Sequence, residues 1–158
     1  MHVKGVETER FQDYKYPSML IAFPKCSFKC DKECGRRVCQ NSALASAPTK
    51  EISAGDIVWK YLTNPITKAV ICGGLEPFDS FDELVELVSK FREAQCDDDI
   101  VIYTGYRKSE IPEQLKVLAQ FQNIVVKFGR FVPDKAPHYD QVLGVQLAND
   151  EQYGERIS

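Results

Sequence analysis

The sequence predicts one α/β domain in which helices cover a parallel sheet. Three observations carry that expectation. Four apolar runs, at residues 18–23, 68–72, 100–104 and 123–128, have the length of buried strands. Segments with helical spacing separate them. The strand exits hold cysteine, Gly-Gly, Thr-Gly and Gly-Arg, and parallel α/β architectures place their chemistry at those ends.

At 158 residues and 44% hydrophobic content, the chain is sized for a single domain over 1–158. Such a domain buries about two-thirds of its unfolded surface. A net charge of −3 gives no electrostatic footprint for nucleic acid. No run approaches the ~20 apolar residues of a membrane helix. The charged N-terminus has no secretory pattern, so a cytoplasmic protein with no membrane partner is expected.

Taken in order, residues 1–16 read as a polar surface lead-in with scattered Phe11, Tyr14 and Tyr16. The strand at 18–23 ends at Pro24. Residues 42–48 are small and lack a clear period. A helix over 54–62 puts Ile57, Val58, Tyr61 and Leu62 on one face, and Asn64-Pro65 stops it. The strand at 68–72 leads into a loop at 73–77. Ser80 and Glu83 have capping-box spacing before a helix from Phe81 to about Ala94, whose face is Phe81, Leu84, Val85, Val88 and Phe91. A charged turn at 97–99 precedes the strand at 100–104. A helix starts near Ser109, tolerates Pro112 in its first turn and buries Leu115, Leu118 and Phe121. After the strand at 123–128 come a loop over 131–141 and a short fifth strand over 142–147. Crossovers between parallel strands should be right-handed.

Residues 24–41 hold the densest chemistry. Four of the six cysteines, Cys26, Cys30, Cys34 and Cys39, fall here among Lys32, Arg36 and Arg37. Thiolates are soft ligands, and a set this dense and this polar reads as a metal site rather than as core. Zinc ribbons pair tight Cys-x-x-Cys knuckles across a gap, which this spacing does not do. An iron–sulfur cluster on one loop suits it better. Four thiolates would close a four-iron cluster for electron transfer, whereas three would leave one iron open to a substrate. The local sequence favours three: Cys26-x-x-x-Cys30 opens the motif, and Cys39 has Val38 before it and Asn41 two residues after it. Cys72 reads as core and Cys96 as a free thiol. His2 and His138 are too far from each other and from the cysteines to suggest a ligand set. No Ser/His/Asp pattern, P-loop lysine or dinucleotide glycine fingerprint occurs.

This stretch resembles the loop of the radical S-adenosylmethionine (SAM) enzymes, and among them the small activating proteins of anaerobic ribonucleotide reductase. Their loop is Cys-x-x-x-Cys-x-Φ-Cys, with Φ apolar or aromatic and an asparagine often following. Val38 matches Φ and Asn41 the asparagine, although eight residues separate Cys30 from Cys39 where the family usually has two. Taking Cys34 shortens the spacing but puts Glu33 at Φ and loses the asparagine. The resemblance thus implies Cys26, Cys30 and Cys39 as ligands of a 4Fe-4S cluster, with a set using Cys34 as the alternative.

Gly73-Gly74-Leu75-Glu76-Pro77 resembles the Gly-Gly-Glu-Pro motif that binds the amino group of SAM, with Leu75 as an extra residue. On the residues alone, two glycines at a strand end form a turn or let a ligand approach the backbone. Glu76 would help to hold an ammonium. Tyr103-Thr104-Gly105-Tyr106 and Phe128-Gly129-Arg130-Phe131 resemble further segments of the activators. Thr104 would bond a SAM carboxylate or ribose, or else cap its own turn. Arg130 would pair with a carboxylate or a partner protein, or else stay solvated on the surface.

The resemblance implies a partial, open parallel β/α barrel with the cluster at its C-terminal mouth; periodicity alone gives only parallel α/β. It implies reductive cleavage of SAM, with a flavodoxin or ferredoxin-type electron donor and no catalytic side chain beyond the cluster and SAM. The implied product is a glycyl radical on the catalytic subunit of anaerobic ribonucleotide reductase. Two alternatives stand beside it: a radical SAM reaction on a small molecule, as in a deazaguanine synthase, and a non-enzymatic zinc-binding interaction module.

Overall fold

A computed structural model describes residues 1–158. The chain runs β1 (His2–Val3), β2 (Gly5–Arg10), β3 (Ser18–Phe23), α1 (Lys29–Cys34), α2 (Ser42–Ser46), β4 (Lys50–Glu51) and α3 (Ala54–Leu62). It continues with β5 (Ala69–Gly74), α4 (Phe81–Glu93), β6 (Asp99–Tyr103), α5 (Pro112–Leu118) and β7 (Ile124–Phe128). It closes with β8 (His138–Asp140), β9 (Val145–Leu147) and β10 (Tyr153–Arg156).

The main sheet has six strands in the order β10-β7-β6-β5-β3-β2. The four inner strands are parallel, and the two edge strands are antiparallel to their neighbours. The inner strands adjoin in the order in which the chain makes them. Crossovers that all step the same way with one hand put their helices on one face. Met19, Ile21, Phe23, Val70, Cys72, Ile100, Ile102 and Phe128 pack in one core with Ile57, Tyr61, Leu84, Leu87, Phe91 and Leu118 of α3, α4 and α5. Burying each large apolar side chain contributes about 1.5–3 kcal/mol. The alternate strand residues Ala69, Ile71, Val101 and Val125 form a second cluster with Tyr14, Leu143 and Leu147. No helix is long and apolar enough to cross a membrane.

Several elements depart from the sequence expectation. The lead-in at 1–16 instead supplies edge strand β2 and buries Tyr14 to 3% exposure, with its hydroxyl donating to Asp99 at 2.8 Å. An edge strand as charged as Gly-Val-Glu-Thr-Glu-Arg shows no apolar run. The fifth strand expected over 142–147 does not enter the main sheet. Only Val145–Leu147 is extended, and it pairs with His138–Asp140 from the stretch expected as loop. The place beside β7 goes to β10, whose Tyr-Gly-Glu-Arg carries no strand signal. Short helices α1 and α2 form where none was expected.

The capping box at Ser80 and Glu83 does not form. A 3-10 turn over Pro77–Ser80 enters α4, and Glu76 caps that turn by accepting the Phe78 N–H at 3.2 Å. Glu83 is taken by the His2 backbone N–H at 3.0 Å and by His2 Nδ1 at 2.7 Å. Ser80 Oγ is left buried without a partner. On α4, Leu87 is buried, while Val85 is half-buried. On α3, Leu62 is 53% exposed and Ala54 takes its place in the core. The helix after β6 starts at Pro112, behind a 3-10 turn over Lys108–Glu110, and Phe121 lies beyond its end.

Candidate metal centre

Pro24 follows β3, and the chain turns over the C-terminal ends of the inner strands. Glu76 N–H donates to Lys25 O at 2.7 Å, and Ser27 N–H to Asp79 at 2.5 Å, which fix this loop to the loop after β5. Phe28 has φ 53°, a left-handed conformation rare for an aromatic residue. Its N–H donates to Cys26 Sγ at 3.2 Å, and the next residue starts α1. Cys30 lies in the first turn of α1, where Phe131 N–H donates to its Sγ at 3.3 Å. Cys34 ends the helix one turn on, and Gly35, at φ 65°, caps it.

The inserted stretch is then folded back. Asp31 Oδ1 accepts the N–H of Val38 at 2.7 Å and of Cys39 at 2.8 Å. Glu33 accepts two bonds from Arg107, both at 3.0 Å, and one from Arg130 at 3.1 Å. Those contacts return Cys39 to the neighbourhood of Cys26 and Cys30.

Cys26, Cys30 and Cys39 line one cavity of about 300 Å³ together with Asn41, Gly74, Glu76 and Thr104. Cys34, Val38 and Gly73 are not in its wall. Burial pushes the Cys26 thiol up to about 11 and raises Cys30 as well, partly offset by the N–H donors on each sulfur.

The sequence-derived residues hold one another in place. Asn41 Nδ2 donates to Gly74 O at 2.6 Å, tying the cysteine loop to the glycine loop. Gly74 has φ +80°, and a Cβ there would lie 2.9 Å from Ala22 Cβ and 3.0 Å from Leu44 Cδ2. Glycine at 74 therefore answers to the chain's own packing before any ligand. Glu76 is 5% exposed, and burial pushes its carboxyl up to about 7 despite three hydrogen bonds. Its donors are Phe78 N–H, Thr104 Oγ1 at 2.8 Å and Gly105 N–H at 2.9 Å. The carboxylate thus joins the exits of β5 and β6. Thr104 accepts the Tyr106 N–H at 2.9 Å, so its hydroxyl does cap its own turn.

Arg130 is not on the surface. Its side chain is 2% exposed and bonds Glu110 at 2.7 Å, Glu33 at 3.1 Å and the carbonyl of Gly105. Burial alone would push the Glu110 carboxyl up; Arg130 and the Arg107 N–H override it and hold it down at about 2. The loop after β7 is thereby clamped to the insertion.

Sequence reasoning missed two residues. Asp31 gives no local signal, because its partners are seven and eight residues away. Lys127 does: it sits inside the apolar run Ile-Val-Val-Lys-Phe, and buried lysines are rare. It lines the cavity at 8% exposure, and its ammonium donates to Gly129 O at 3.2 Å. Burial draws it down to about 8.

Three thiols on one cavity wall, two of them receiving backbone N–H bonds, fit the thiolate ligation of an iron–sulfur cluster. No three His, Cys, Asp or Glu side chains are gathered closely enough to hold a single metal ion. A family model described as a 4Fe-4S single cluster domain matches residues 18–148, from β3 through the β8–β9 hairpin. No curated protein and no solved structure matches the chain.

Proposed function

The chain belongs to the 4Fe-4S single cluster domain family, and we propose that it is a radical SAM enzyme that generates a glycyl radical on the catalytic subunit of an anaerobic ribonucleotide reductase. One observation carries the reading: Cys26, Cys30 and Cys39 share a cavity with the Gly74–Glu76 loop, while Cys34 lies outside it. Three protein thiolates leave one iron for SAM. When bound, the cluster and SAM supply the radical chemistry by one-electron reductive cleavage of the sulfonium.

The chain's residues do the rest. Cys26, Cys30 and Cys39 hold the cluster, with the Phe28 and Phe131 N–H groups bonding two of the sulfurs. Lys127 places a positive charge in the cavity for the SAM carboxylate. Glu76 and Thr104 join two strand ends and so shape the pocket floor, rather than spending their hydrogen bonds on a ligand. Asn41 fixes the glycine loop, and Val38 positions Cys39 through its bond to Asp31. Gly73 packs against Tyr103 behind the cavity.

Two features support the finer claims. Inner strands that progress in one direction, with α3, α4 and α5 in one core, support reading the sheet as an open, partial barrel. A cavity of about 300 Å³ is at the small end for ligand sites, which favours a macromolecular substrate over a second small one. The electron donor in this reading is a flavodoxin or ferredoxin-type protein of the cytoplasm. Membership of an iron–sulfur family sets the zinc-module alternative aside.

The test is anaerobic reconstitution with an iron and sulfide assay, followed by dithionite and SAM. Chromatography should find 5′-deoxyadenosine, and adding the reductase should give a glycyl-radical resonance. A fully loaded protein that releases no nucleoside overturns the enzyme reading; cleavage without a radical on the reductase overturns the partner.

A further inference from the structure

The stretch between Cys30 and Cys39 does more than connect two thiols. None of residues 31–38 lines the cavity, so the insertion sits outside the site. Its acids are consumed internally. Asp31 is bonded to two backbone N–H groups, and Glu33 to Arg107 and Arg130. Its bases are not. Lys32, Arg36 and Arg37 are all exposed. Arg36 has one loose contact, to Asp134 at 3.5 Å, with the two side chains 63% and 89% exposed. Three exposed cationic side chains therefore lie between Cys30 and Cys39, on a chain whose net charge is −3.

We propose that Lys32, Arg36 and Arg37 form the docking face for an acidic one-electron carrier protein. The proposal rests on the reading that the site takes an electron from outside. The carrier is oxidised by one electron and the protein reduced by one, and no bond or proton changes hands at this face. Transient redox encounters bury little area, and opposite charge steers them. A lysine and two arginines on one short insertion suit that task. Docking here leaves the cavity free, so the carrier and the SAM-side substrate do not compete for one surface.

The test uses reconstituted protein and a fluorescently labelled flavodoxin as the acidic carrier. Binding is read by anisotropy at low and at about 0.15 M salt, where the screening length is about 8 Å. The wild type should bind more weakly as salt rises. The combined variant Lys32→Glu/Arg36→Glu/Arg37→Glu should lose at least about tenfold in affinity and most of its salt dependence. The neutral counterpart Lys32→Gln/Arg36→Gln/Arg37→Gln should fall between, which guards against a folding defect in the reversed form. Iron content and dithionite-driven SAM cleavage should match the wild type in both. Wild-type affinity in a fully loaded variant, or wild-type binding indifferent to salt, overturns the docking face. Dithionite-driven cleavage reads the earlier proposal by itself: if it is lacking while charge reversal still releases flavodoxin, the enzyme reading falls and the docking face stands.

Discussion

Asp31 Oδ1 accepts the backbone N–H of Cys39 at 2.8 Å, eight positions further along the chain. The same oxygen accepts Val38 N–H at 2.7 Å. Removing the carboxylate should free Cys39 more than it harms the fold. Asp31→Ala is expected to cost about 1.5–3 kcal/mol of stability, the range for hydrogen bonds to a charged group. It should also lose iron to a chelator faster than the wild type. Asp31→Asn keeps an acceptor oxygen and should hold most of its iron.

Cys34 lies outside the cavity that Cys26, Cys30 and Cys39 line. Cys34→Ser should keep a four-iron cluster and SAM cleavage, while Cys26→Ser, Cys30→Ser and Cys39→Ser each lose both. Iron and sulfide content with a visible spectrum decide it. A Cys39→Ser protein that still turns over beside a dead Cys34→Ser protein would exchange their roles.

Gly74→Ala should unfold more readily whether or not SAM is present. Its φ of +80° costs a non-glycine residue about 1–2 kcal/mol, and the clash with Ala22 adds to that. A total near 2–4 kcal/mol is expected from urea midpoints. At Gly73 a Cβ would lie 3.4 Å from Tyr103 Cβ, so Gly73→Ala should cost under about 1 kcal/mol. Equal midpoints for the two variants would remove this account of the loop.

Lys127→Met should weaken SAM binding roughly 10- to 100-fold, the worth of one charge-assisted contact. The fold should not suffer, because a buried charge is replaced by an apolar chain of similar volume. The lysine is drawn down to about 8, so it is cationic below that value. Wild-type affinity should therefore decline as pH rises through about 8, and the Lys127→Met profile should be flat there. Calorimetric titration at several pH values gives both results.

Glu110 is held at about 2 in the fold against about 4.3 in an unfolded chain. A depressed carboxylate stabilises the fold above its unfolded value and loses that contribution as pH falls toward its folded one. Its side chain is 28% exposed, which limits the effect at pH 7 to the order of 1–2 kcal/mol. Glu110→Gln should thus be less stable than the wild type at pH 7, with the gap closing between about pH 4 and pH 2. Denaturant melts across that window measure it.

Legibility followed locality. The bounds of helix α3 were readable, though not all of its face, because a stripe of Ile57, Val58 and Tyr61 lies between Ser53, which accepts the Asp56 N–H, and Asn64-Pro65. Strands β3, β5, β6 and β7 announced themselves as apolar runs since both their faces are covered. Strands β2 and β10 did not, because an edge strand needs little apolar surface and its place is set by its neighbour's hydrogen bonds. At the site, the thiols were visible because four of them crowd into residues 26–39, Asn41 because it follows Cys39 by two, and the glycine loop because it leaves a strand. The partners of Glu76 were not: Thr104 and Gly105 come from the next strand, 28 and 29 residues on, and only sheet order brings them together. For Arg130 the sequence left carboxylate pairing, a partner contact and a solvated surface position open; the choice among them comes from Glu33 and Glu110, on an insertion and a 3-10 turn far away in the chain.

The two antiparallel borders of the main sheet carry a consequence for handling the protein in the test tube. Strand β2 presents Glu7, Glu9 and Arg10, and β10 presents Glu155 and Arg156. An open sheet ends in rows of unpaired backbone groups that invite other chains to add on, and charged border residues oppose that growth. Concentrated stocks, and refolding from denaturant before any iron is added, should therefore stay clear of fibres and precipitate. Replacing Glu7 and Glu9 with valine would turn one border into an adhesive seam, visible as light scattering within a single refolding run.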